Sequence, residues 1–443
     1  MKTPICDFLT QYQQSGTVRF HMPGHKGRPF LGCEPWDLTE VQGADALYEA
    51  GGIIAESEQN ATALFGTGRT LFSTEGSSQC IRAMLYLAIN DRPRGTVPLI
   101  LAARNVHKAF VYGAALLDFE VRWLWPEDAH TSLCGCPITA RTLDKTLTGM
   151  AELPAAVYVT SPDYLGGVAD IASLAEVCHR HGTRLLVDNA HGAYLRFLQP
   201  SRHPMDLGAD LCCDSAHKTL PALTGSAYLH LSRRTPQALR DHAKQALALF
   251  GSTSPSYLTL ASLDRCNAYL ADGYGEKLAL LCEKAEEIRL QLRNNGWQLP
   301  GTDPLRFTIL ASAEQDGLQL ADRLREAKIE CEYADPECLV LMFSPENRDE
   351  DFVRLLEALG PCPGGKVLPS LPLAKGVQRC NIRQALFAAH EEIPAEQALG
   401  RICGAPTVAC PPAIPIAVSG EEIGEAALQL FRHYGVETVD VLT

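Results

Sequence analysis

From about residue 60 to residue 231 the chain alternates short apolar runs with amphipathic stretches of helical period, and this alternation restricts the possible folds more than any other feature. The runs expected to form strands are Pro98 to Ala103, Val121 to Trp125, Ala155 to Thr160, Arg184 to Asp188, Ala209 to Asp214 and Ser226 to His230. Between them lie helical patterns such as Ser77 to Ile89 and Ser173 to His181, the second closed by Gly182 as a C-cap. Apolar strands separated by helices in this way predict an α/β domain, a mainly parallel sheet covered by helices.

Beyond Tyr257 the pattern changes. A long helical stretch, Leu258 to Asn295, leads through Gly296 and Pro300 into strand-like Leu305 to Ala311, Glu330 to Ala334 and Leu339 to Phe343, then a helix from Glu350 to Leu359. That order reads as a smaller α+β part. Pro361-Cys362-Pro363-Gly364-Gly365 breaks it and links to a last segment rich in proline between Gly400 and Gly420. A chain of 443 residues exceeds one ordinary core. Four regions are expected: an N-terminal segment (1–60), a large α/β domain (61–257), a connecting helix with the small domain (258–360), and a C-terminal segment (361–443). No internal repeat is evident.

The 39 basic and 52 acidic side chains give a formal charge of −13, which would repel a nucleic-acid backbone or an anionic membrane surface. The N-terminus, Met1-Lys2-Thr3-Pro4-Ile5-Cys6-Asp7, has no apolar signal core, and no stretch approaches the roughly 18 apolar residues that cross a bilayer. A cytoplasmic protein without nucleic-acid or membrane partners is expected. Its 16 cysteines are scattered, which favours buried free thiols over disulfides. Cys134-Gly135-Cys136 has no ligand partner at zinc-site spacing and Cys212-Cys213 lies in an apolar strand pattern, so no metal is expected.

Four polar runs carry chemistry. Asp188-Asn189-Ala190-His191-Gly192 follows the apolar run Leu185-Leu186-Val187, at a strand end where open α/β sheets bind ligands. A carboxylate there suits a protonated pyridine nitrogen, Ala190 leaves room beneath a ring, and His191 reaches a phenolic oxygen. The same run also fits an Asp capping the next turn. Ser215-Ala216-His217-Lys218 closes a later strand, and its lysine is placed to form a Schiff base and to move protons at a substrate Cα. The turn Thr74-Glu75-Gly76-Ser77-Ser78 opens a helix, where backbone N–H groups and two hydroxyls make an anion site. His107, in Arg104-Asn105-Val106-His107-Lys108, follows another strand and suits stacking on a ring. Each run alone has an ordinary structural explanation; together they match pyridoxal phosphate (PLP) on Lys218.

These residues resemble the Orn/Lys/Arg decarboxylase family. The likeness covers most of the chain: Phe20-His21-Met22-Pro23-Gly24-His25-Lys26-Gly27, Asp37-Leu38-Thr39-Glu40, the runs at 104–108, 188–192 and 215–218, Ser161-Pro162-Asp163-Tyr164, and Thr253-Ser254-Pro255-Ser256-Tyr257. Gly400-Arg401-Ile402-Cys403, Pro411-Pro412-Ala413-Ile414-Pro415 and Gly420-Glu421 extend it towards the C-terminus. The resemblance implies the PLP-dependent transferase fold of type I, with a mainly parallel seven-stranded sheet and a smaller α+β C-terminal part. It implies decarboxylation of a basic amino acid in polyamine-related metabolism, in a homodimer or higher homo-oligomer with sites at the subunit interface, to which the N-terminal segment (1–60) with His21, His25 and Lys26 contributes. By position it implies Lys218 as the Schiff-base lysine, Asp188 at the pyridine nitrogen, His107 on the ring, and Ser77, Ser78, Ser215 and His217 around the phosphate. Thr253 or Ser254 would come from the neighbouring subunit.

The chain departs from the family at Asn189, where Glu is common, at Asp163, where Thr is common, and at Glu75, where Asn is common; Cys410 stands where an aromatic is usual. The resemblance is to the short form without an N-terminal wing domain, so ring assemblies built through that wing are not expected. Asp163, Glu40, Asp45 and Glu75 are the carboxylates available to read a cationic substrate side chain. Two other readings share the scaffold: an aminotransferase or other PLP lyase, for which Arg379 or Arg383 would take the substrate carboxylate, and a catalytically degenerate paralogue.

Overall fold

The computed structural model describes residues 1–90, 97–128, 130–367, 370–409 and 413–443; Cys410, Pro411 and Pro412 of the C-terminal motif lie outside the described residues. The chain runs α1 (Pro4–Gln14), α2 (Ile53–Phe65), β1 (Arg69–Ser73), α3 (Gly76–Asn90), β2 (Leu99–Ala103), α4 (Lys108–Leu117), β3 (Glu120–Leu124), α5 (Ala140–Thr148), β4 (Ala156–Thr160) and α6 (Ile171–Arg180). It continues through β5 (Arg184–Asp188), β6 (Leu211–Asp214), α7 (Ala216–Thr219), β7 (Ala227–Leu231), α8 (Gln237–Ala248), α9 (Tyr257–Ala271) and α10 (Tyr274–Asn294). The first seven strands form one sheet in the order β1-β7-β6-β5-β4-β2-β3, the mostly parallel α/β architecture that the alternation predicted.

Packing divides the chain into two units, Met1–Pro93 with Ile171–Leu278, and Arg94–Asp170 with Ala279–Thr443. In the first, β5 and β6 are parallel, whereas β7 is antiparallel to both β6 and β1. The strands are short and apolar, with β6 and β7 buried along their whole length, so each is covered on both faces. Asp264 of α9 ties the N-terminus into this unit. Its Oδ2 accepts from the backbone N–H of Ile5 and Cys6, 3.0 Å each, at the start of α1, and its Oδ1 accepts from Ser57 Oγ.

In the second unit β2 pairs in parallel with β3 and β4. Arg104, just after β2, is buried and donates to the carbonyls of Pro415 and Ile416 and to Glu421 Oε2, 3.2 Å away. The C-terminal segment is thereby bound to the loop that carries His107, and Lys108 N donates to Ala413 O in the same place. A small antiparallel sheet is made by β8 (Arg306–Leu310), β9 (Tyr333–Ala334) and β10 (Cys338–Met342), flanked by α11 (Gly317–Glu326) and α12 (Asp349–Leu359).

Two expectations are corrected. The stretch Leu258 to Asn295 is two helices, because Gly273 adopts φ +70° and ends the run after Ala271. The strand expected over Glu330 to Ala334 is only Tyr333–Ala334: Lys328 turns back at φ +60°, and only Tyr333 and Ala334 pair with β10. Among the described residues, no helix is long and apolar enough to cross a membrane.

Candidate active site

The first unit brings three of the polar runs together at the carboxyl ends of β5 and β6. β5 ends on Asp188, which is 2% exposed, and the next residue continues the ladder with Asn189 N donating to Cys213 O at 3.0 Å. Asp188 Oδ1 accepts from Ala190 N at 3.2 Å, which turns the chain so that buried Ala190 and His191 follow the strand closely. One strand over, β6 ends at Asp214 and the single turn α7 carries His217 and Lys218. Lys218 Nζ lies 3.0 Å from His191 Nε2, so the amine and the imidazole are in hydrogen-bond reach.

The anion turn meets the same strand end. Ser215 Oγ donates to Ser77 Oγ over 2.8 Å, linking the end of β6 to the first turn of α3, where Ser78 also lies. Gly76 N donates to Gly225 O, and Gly225 has φ +93°; a Cβ there would stand 3.1 Å from Thr74 O. Only glycine allows that approach. His217 Nδ1 is 3.0 Å from Ser226 O, which ties α7 to the start of β7. Glu75 Oε1 accepts from Ser252 N, and Thr253 and Ser254 are exposed on that loop between α8 and α9.

The donor set fits PLP. A buried carboxylate at one strand end, an amine on the next, and two hydroxyls at the N-terminus of a long helix match a cationic pyridine nitrogen, an aldehyde carbon and a phosphate in turn.

His107 belongs to the second unit, where it caps α4 with Nδ1 accepting from Ala109 N at 3.2 Å. Asp163 is in that unit too. Its Oδ1 accepts from the N–H of Leu165 and Gly167, and burial lifts its carboxyl from 3.8 to about 6. The folded pKa lies above the unfolded one, so the unfolded chain loses its proton first as pH rises and stability falls between those values. Asp163→Asn should therefore raise the melting temperature above about pH 7 and leave it unchanged near pH 4, as melting curves across that range would show. A gap that stays constant with pH would refute the assignment.

Asp45, another carboxylate considered for the substrate, is taken up by backbone. Its oxygens accept from the N–H groups of Ala46, Gly51, Gly52, Ile54 and Ala55, which include the first turn of α2. Burial opposes ionisation there, but these donors outweigh it and hold the carboxyl low. Glu40 is exposed and accepts from Thr39 Oγ1. The arginines an aminotransferase would use are engaged elsewhere: Arg379 pairs with Glu422, and Arg383 donates to Ala115 O. Cys134, Cys136, Cys212 and Cys213 are buried free thiols, and burial raises each of them, Cys136 to about 11.

The residue pattern did not single out His203, Asp214 or His230, whose side chains meet behind the strand ends with no exposure at all. The available signal was an Asp and a His within otherwise apolar strands, since a charge buried in a strand requires partners.

Comparison with known proteins follows the same lines. The family model described as Orn/Lys/Arg decarboxylase, major domain, matches residues 3–314. The chain is 30% identical to the uncharacterized protein YaaO of Bacillus subtilis (strain 168) over 97% of this chain and 93% of that one. It is also 30% identical to an arginine decarboxylase of the same organism, over 96% of this chain and 92% of that one. Among solved structures it superposes on the lysine decarboxylase LdcF of Francisella novicida with a TM-score of 0.82, covering 100% of this chain and 81% of that one at 18% identity, a likeness of fold.

Proposed function

The chain belongs to the Orn/Lys/Arg decarboxylase family and is a PLP-dependent decarboxylase, and from that premise we propose that it converts a basic amino acid (arginine, lysine or ornithine) to the corresponding amine and CO2. The observation that carries this reading is the pairing of Lys218 with His191 one strand away from the buried carboxylate of Asp188. Bound PLP supplies an electron sink for the breaking Cα–carboxylate bond. What the chain supplies is holding, orientation and protons.

In this reading Lys218 Nζ holds the cofactor covalently and Asp188 keeps its ring nitrogen protonated. Ala190 would leave room beneath the ring, and His107 would take the ring-stacking role implied by the resemblance. Ser77, Ser78, Ser215 and His217 hold the phosphate, joined by Thr253 of a neighbouring subunit. His191 Nε2, in reach of Lys218 Nζ, relays the proton that Lys218 delivers to the substrate Cα after CO2 departs. The large exposure of Val18, Phe20, Met22, Phe30 and Leu31, crowded into one N-terminal stretch, supports a homodimer that covers them. A cytoplasmic site of action and a place in polyamine-related metabolism complete the proposal.

The test is a product screen by mass spectrometry with each basic amino acid in turn. The expected product is the amine lighter by one CO2, from one substrate in clear preference to the others. Formation of the keto acid instead would overturn decarboxylation.

A further inference from the structure

Strand alternation divides the side chains at the ends of β5 and β6 between two faces. Asp188 pairs in register with Cys213, and the two side chains approach to 3.7 Å on one face. Asn189 and Asp214 come next in each strand and point to the other. There Asn189 Nδ2 donates to Asp214 Oδ1 at 2.7 Å, while His203 Nε2 and His230 Nε2 each lie 3.0 Å from Asp214 Oδ2. All four residues are 0% exposed.

The outer partners settle the proton positions. Met205 N donates to His203 Nδ1, so its proton is on Nε2 and points at the carboxylate. On the second ring, Thr70 Oγ1 lies 2.9 Å from His230 Nδ1, with Thr67 Oγ1 2.8 Å behind it. Burial would raise the Asp214 carboxyl, but the two imidazoles outweigh it and hold it ionised; burial lowers His230. Phe65 packs against both imidazoles and closes the cluster.

The three side chains form a donor set of the kind that holds a cation. However, each donor atom is committed to a hydrogen bond, and the nitrogens stand 3.0 Å from the carboxylate oxygen with no exposed face. This arrangement suits a structural anchor rather than an ion site.

We propose that Asn189, His203, Asp214 and His230 are positioning residues: the Asp214 carboxylate, at the end of β6, ties together Asn189 just after β5, His203 in the β5–β6 connection and His230 within the antiparallel β7, and so sets the spacing between Asp188 and the segment Ser215 to Lys218. The inference rests on the reading of Asp188 and Lys218 as cofactor residues. Asn189 is the joint of the clamp. It follows Asp188 directly, and it stands where the family commonly has a glutamate.

The clamp predicts a rescue. Asn189→Asp alone sets a second carboxylate against Asp214. Asn189→Asp combined with Asp214→Asn restores the bonds to residue 189 and to both imidazoles, with the polarity of the first reversed, and gives up only the long Cys212 thiol contact to Oδ1, because the new amide oxygen still accepts from both imidazoles and its N–H donates to residue 189. Cofactor retention and the pH titration of the visible cofactor band, both read without substrate, are to be measured on the holoenzyme well below melting, with melting temperature recorded alongside. Asn189→Ala should release cofactor about tenfold faster than wild type, Asn189→Asp faster still, and the double variant should recover most of the loss. If Asn189→Asp fails to fold, Asn189→Ala decides. Folded single variants that retain cofactor and titrate like wild type, or a folded double variant that recovers nothing, would overturn the clamp. Absence of a visible band in the wild-type holoenzyme would instead sink the reading of Lys218, so the two failures are distinguishable.

Discussion

Lys218→Ala is expected to lower turnover by at least about a thousandfold while leaving the fold intact, since in the proposed reading it removes both the covalent hold on the cofactor and the group that returns a proton to Cα. Lys218 is half-buried on the single turn α7, with its amine 3.0 Å from His191 Nε2, so truncation removes a partly exposed side chain and costs little packing. The variant should lose the visible band of a lysine-linked cofactor, and borohydride should no longer fix the cofactor to the chain. Mass spectrometry of the reduced protein reads this directly. Full turnover in the variant would refute the assignment of Lys218.

Asp188→Ala is the second large effect expected. The carboxylate is the buried charge at the end of β5, and its proposed task is to hold the ring nitrogen protonated. Its removal should cost on the order of a hundredfold or more in kcat, comparable to loss of a preorganised electrostatic partner, with a smaller change in KM. Asp188→Glu should not restore activity, because Cys213 lies against the carboxylate and β5 leaves little space for another methylene. Steady-state kinetics on the same substrate separates the two parameters. An unchanged kcat in Asp188→Ala would mean that this carboxylate has no part in the chemistry.

Much of this site could be read from the residues in order because its parts follow strands. The expected strand Arg184 to Asp188 matches β5 residue for residue, and helix α3 begins within one residue of the expected Ser77. Local signals suffice there: an apolar run, then a polar residue where the sheet stops. The reversed direction of β7 was not readable, since a buried strand is apolar whichever way it runs. Nor was the cluster around Asp214 readable. His203, Asp214 and His230 are brought together by a loop and two strands, and no spacing in one segment encodes that meeting. Asp45 shows the reverse case. It looked available to a substrate, but the chain folds back so that five backbone N–H groups use it locally.

The interleaving of the two units sets an order on biosynthesis. The first unit is interrupted by residues 94–170, so a growing chain that has emitted β1 and the Ser77-Ser78 turn must wait for β5, β6 and Lys218 before the candidate site can assemble. The second unit waits longer, since its strand Thr438–Leu442 pairs with His390–Pro394. Neither unit can therefore close before the chain has returned to it: the first needs the segment that ends at Leu278, and the second needs both Arg94–Asp170 and the residues from Ala279 onward. The candidate site of the first unit is thus the product of two stretches of chain made at different times, separated by the whole of residues 94–170.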